Sequence, residues 1–266
     1  MSTDYALAYG THATAQDGRC AMEWVSYLAG EPHSDQPACV SPVLRVFCAS
    51  LNDTLADGPR QRLRPYLART IGSASDGLDE ARSWMALDWL IRSYAPTWLA
   101  AADLGEAAEQ LAGLPSVVDA SDLQGALLVL GLARRATRSA WSGALGAARA
   151  ASWAPWVAGR AAAREAAWAS AGAAAWAAAR VAVGDVAGDR ARADAREIGG
   201  DAAAMIGREA GATVGRAAAR EVARAALAPT LEELQESAFA LLDRMLPTIP
   251  VASPVTVGAV SVLNGE

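Results

Sequence analysis

The stretch AAMIGREAGATVGRAAAREVA, Ala203 to Ala223, decides the fold. Ala203, Gly207, Gly211, Gly215, Ala219 and Ala223 recur at every fourth residue, which on a helix makes a slowly turning groove of small side chains. A helical glycine costs about 1 kcal/mol relative to alanine, so three at this spacing require the close approach of a second helix. Arg208, Glu209, Arg216 and Arg220 stand between them and rule against a membrane dimer. The facing helix belongs either to this chain, in the Ala-rich stretch near residues 160–182, or to a second subunit.

Outward from this groove, alanine dominates from about Trp141 to Ala228. Alanine favours long helices but buries little area, so such helices gain tertiary stability only by packing closely. Breaks are expected at Gly184–Gly188 and at Gly199-Gly200, with Asp189 and Asp201 capping the helical segments after them. Trp and Arg recur one helical turn apart in the pairs Arg149/Trp153, Trp156/Arg160, Arg164/Trp168 and Trp176/Arg180. Such a surface forms cation–π contacts and could hold single-stranded nucleic acid. The simpler reading, which the acidic balance favours, is that Trp supplies bulk that alanine lacks while Arg reaches solvent beside it.

The N-terminal part reads as short, well-punctuated helices. Asp17 is expected to cap a helix through Met22, Val25 and Leu28 that stops at Gly30. Ser41-Pro42 starts a second, with Leu44, Cys48 and Leu51 on one face. A third runs from Leu78 to Tyr94, with Asp88 and Arg92 spaced for an ion pair, and ends at Pro96. Thr230 and Glu233 form a capping box for a closing helix that carries Leu234, Phe239, Leu241, Leu242 and Met245. The Pro- and Val-rich tail has no helical period.

Both histidines and two of the three cysteines fall in the order His12, Cys20, His33, Cys39. Two thiolates and two imidazoles suit a tetrahedral zinc site, although spacings of this length are not a tight chelate. The same residues could serve a cysteine nucleophile with a histidine base. Glu23, one turn from Cys20, disfavours a thiolate and is more at home beside a metal. The remaining alternative is a packed structural head. Cys48, on an apolar face, belongs to the core.

The chain of 266 residues has a net charge of −6 that is unevenly placed. Residues 1–125 carry 8 Arg against 16 acids, residues 126–228 carry 14 against 8, and residues 229–266 carry 1 against 5. Acidic and basic parts either pack together or alternate in an oligomer, unless the middle meets an anionic partner. There is no lysine, and Arg, Ala and Gly have GC-rich codons, which points to a high-GC bacterial or phage source. Few cysteines and no basic-plus-apolar leader point to a reducing cytosol. No uncharged apolar run is long enough to span a membrane.

The head carries Gly10-Thr11-His12, Gly18-Arg19-Cys20-Ala21-Met22-Glu23, Leu28-Ala29-Gly30-Glu31 and Ser34-Asp35-Gln36-Pro37-Ala38-Cys39-Val40-Ser41-Pro42. With the Ala/Trp/Arg-rich middle and the closing Leu241-Leu242-Asp243-Arg244-Met245, this resembles an uncharacterised protein family of actinobacteria and their phages. The resemblance implies a source and a shared architecture, and no activity.

These observations predict an all-α protein: an acidic helical head (1–125), an Ala/Arg/Trp-rich body forming a bundle or hairpin (126–228), a closing amphipathic helix (229–246) and a tail (247–266). The expected function is that of a non-enzymatic helical interaction protein, a homo-oligomer in the bacterial host cytosol, with a protein partner possible. No cofactor, membrane or nucleic-acid partner is expected. The alternatives are a metal protein or enzyme using His12, Cys20, Glu23, His33 and Cys39, with zinc as the metal, and a nucleic-acid binder using the Arg/Trp face. No Walker loop, dinucleotide turn, His-Glu-x-x-His or nucleophile elbow strengthens the enzyme alternative.

Overall fold

The computed structural model describes residues 6–148, 153–168, 171–212 and 216–246. Among them no strand forms, and the fold is all-α. The order is α1 (Ala21–Ala29), α2 (Pro42–Thr54), the one-turn helices α3 (Asp57–Arg60) and α4 (Arg64–Leu67), then α5 (Asp79–Trp89). A π-helical turn, Leu90–Tyr94, leads into α6 (Ala95–Ala101) and α7 (Gly105–Ala112). Five helices complete the described residues: α8 (Ala120–Ala148), α9 (Trp153–Trp168), α10 (Ala171–Ala179), α11 (Val186–Ala212) and α12 (Arg216–Met245). The tail from residue 247 lies outside the described residues, as do Arg149 and Gly215. No helix among the described residues is long and apolar enough to cross a membrane.

The Ser41-Pro42 start is as expected: the Ser41 hydroxyl accepts from the Val43 and Leu44 N–H groups, and Leu44, Cys48 and Leu51 are buried. The start of α1 differs. Asp17 accepts from the Thr14 amide and hydroxyl and closes a turn upstream, while Cys20 is the N-cap and Glu23 completes its capping box. Gly30, at φ 71°, ends the helix in the left-handed conformation that glycine adopts without strain.

Pro96 does not end the third helix. It sits in the first turn of α6, and the π turn at Leu90–Tyr94 takes up the misfit of a proline that has no N–H for the preceding turn. Pro229 likewise lies inside α12, so Thr230 caps nothing and the closing helix is the second half of a longer one. The break near Gly184 is real, but Asp185 caps there, accepting from the Gly188 N–H. No break occurs at Gly199-Gly200, and Asp201 lies mid-helix in α11. A Cβ on Gly199 would stand 2.6 Å from the Tyr94 ring, and one on Gly172 of α10 would stand 2.5 Å from it. Those glycines admit the buried Tyr94 side chain, whose hydroxyl donates to the Ala167 carbonyl at 3.3 Å.

The small-residue stripe spans two helices, since α11 ends at Ala212 and Ala219 and Ala223 belong to α12. Its facing helix is α9 of the same chain. A Cβ on Gly159 would meet the Gly207 carbonyl oxygen at 2.5 Å, and one on Gly207 would collide with the Ala163 Cβ. Ala203, Gly207, Gly211, Ala219 and Ala223 are all buried.

One hydrophobic core runs from Leu7 to Leu246. Its centre is α10, where Ala171, Ala174, Ala175, Ala178 and Ala179 are fully buried between α2 and α5. Small residues there let the flanking helices close in, and the Ser83 hydroxyl of α5 donates to the Ala178 carbonyl at 3.1 Å. The position separating head from body, 125/126, falls inside α8. Ion pairs between distant parts run from head arginines to α12 carboxylates, Arg62–Glu236 and Arg69–Asp243, while Arg134 and Arg138 of α8 pair with Asp194 and Glu197 of α11. Arg82 is buried and donates to the Met245 carbonyl at 2.9 Å and to Asp76 at 2.8 Å, tying α5 to the end of α12.

Candidate functional site

The head cluster forms around Glu23, which is 1% exposed. Its carboxylate accepts from the His12 N–H at 2.6 Å, the His12 Nδ1–H at 2.8 Å and the Cys20 N–H at 2.8 Å. His33 Nε2 donates to the His12 carbonyl at 3.0 Å and stands 3.8 Å from the other carboxylate oxygen. Burial pushes the Glu23 carboxyl up, but the donors from Cys20 and His12 outweigh it and hold it below the usual carboxylate range. His12 is thus an imidazole oriented by a carboxylate, a pattern suited to proton transfer. Its Nε2 lies against Gly18, where a Cβ would stand 2.9 Å away.

The four residues expected to hold zinc do not converge. His12 and His33 gather on Glu23, Cys20 caps α1, and Cys39 pairs with Glu31, which accepts from the Cys39 N–H at 2.9 Å. Among the described residues no group of three or more His, Cys, Asp and Glu stands where it could hold a metal ion. Burial pushes the Cys20 thiol up to about 12; the Glu23 N–H works against that rise and the Glu23 carboxylate adds to it, an environment that disfavours a free thiolate. Burial and Glu31 raise Cys39 as well. Cys48 is a core thiol, as expected, also pushed up to about 12 by burial.

Of the Arg/Trp pairs, Trp176/Arg180 forms at the expected spacing, with the guanidinium 4.8 Å from the ring centroid. Arg160 lies over Trp141 of α8 at 4.9 Å, and Arg164 reaches Asp201 of α11 at 3.4 Å. The side chains of Trp153, Trp156 and Trp168 lie outside the described residues. Arg160 and Arg164 thus join α9 to α8 and to α11 of the same chain. Tyr94, Arg164, Trp176, Asp189, Arg196 and Glu197 line a cleft of about 550 Å³, in which cations and acids alternate.

The sequence reading missed the surface of α8. Leu123, Ala126, Leu130, Ala133 and Thr137 are buried at alternating spacings of three and four, facing the core. A second seam of the same period, Ser121, Gly125, Leu128, Leu132, Arg135, Ser139 and Ser142, faces solvent throughout. Leu128 is 69% exposed and Leu132 45%. A groove of about 420 Å³ runs beside Leu132, its wall mixing Leu104, Ala107 and Ala136 with Asp103, Glu106 and Gln110. The signal in the sequence is small: Leu128 and Leu132 stand one turn apart, off the buried face of α8.

Compared with known proteins, the chain matches no protein family, no curated protein and no solved structure.

Proposed function

We propose that the chain is a non-enzymatic helical interaction protein that self-associates. The observation that carries this reading is the solvent-facing seam of α8, where two leucines stand exposed on a helix whose opposite face is already satisfied by the core. Isolated exposed leucines are ordinary; one turn apart beside a groove, they mark an interaction surface. The head cluster supports the same reading, because Glu23 serves to start α1 and to pin the N-terminal loop through His12.

The small-residue stripe no longer supports self-association, since its partner is α9. A reducing bacterial cytosol is supported by three free cysteines, and a phage or prophage source by the N-terminal motif. Sedimentation velocity across a micromolar concentration series tests the proposal. Self-association appears as a sedimentation coefficient that rises with concentration, whereas a concentration-independent single chain contradicts it.

A further inference from the structure

We draw no further inference here: the strongest candidate, the cleft of about 550 Å³ between α9, α10 and α11, has its Arg164, Asp189 and Glu197 already paired inside the chain with Asp201, Arg192 and Arg138, and nothing in the structure shows which ligand it would take.

Discussion

Gly159 of α9 and Gly207 of α11 lie backbone against backbone, so closely that a Cβ on the first would stand 2.5 Å from the carbonyl oxygen of the second. Neither neighbour is a flexible side chain that could swing away. Gly159→Ala should therefore cost about 1–3 kcal/mol through overpacking, despite alanine's better helix propensity. Gly211→Leu, on the same seam, should be at least as costly. Both variants should melt earlier than wild type while keeping its oligomeric mass, because this contact lies within one chain. A Gly159→Ala variant that melts at or above the wild-type temperature would show that α9 and α11 do not meet as described.

Tyr94 tests how the π turn is held. Its ring fills the space left by Gly172 and Gly199, and its hydroxyl donates to the Ala167 carbonyl at a long 3.3 Å. Tyr94→Phe should cost only about 1 kcal/mol, whereas Tyr94→Ala should cost about 3–5 kcal/mol by opening a cavity in the core. Chemical denaturation of the two variants checks the difference. Equal losses would mean that the hydroxyl, and not the ring, holds the turn.

Features governed by local chemistry were legible in the sequence. Ser41-Pro42 and Gly30 mark helix ends because capping and left-handed backbone depend on the residue itself. The demand of the small-residue stripe for a close helix was equally local, and α9 meets it. What failed depended on tertiary context. Pro96 and Gly199-Gly200 read as helix ends and Thr230 as a helix start, yet all three lie within helices or a helical junction, since a π turn, the Tyr94 ring and the surrounding helices compensate there. Asp17 yielded the cap to Cys20 and Glu23 because the N-terminal loop folds back to place His12 on the same carboxylate. The exposure of Leu128 and Leu132 could not be read in advance, because apolar residues occur on both faces of α8 and only the packing decides which face the core takes.

Acid titration isolates Glu23. The folded chain holds its carboxyl below the ordinary value of 4.5, so the unfolded chain takes up this proton first as acid is added. Its contribution to stability is therefore whole above the ordinary value and is lost as pH falls from there through the depressed folded value. Glu23→Gln should cost about 1–2 kcal/mol at neutral pH, and its melting temperature should fall less steeply in acid than that of wild type. Parallel curves for the two proteins would contradict the assignment.

Single-stranded nucleic acid should bind weakly at about 0.15 M salt. Arg160 and Arg180 lie over tryptophan rings and Arg164 faces Asp201, so each has an intramolecular role that competes with phosphate. Fluorescence anisotropy with a labelled oligonucleotide checks this. A salt-sensitive complex abolished by Arg160→Ala, Arg164→Ala and Arg180→Ala together would instead make this part of the body a nucleic-acid interface.

The native mass spectrum of the full-length wild-type chain tests the central claim most directly, because it reads subunit number and any retained metal at once. The account predicts more than one chain and no added zinc mass. A single chain, bare or carrying zinc, across the accessible concentrations would contradict it.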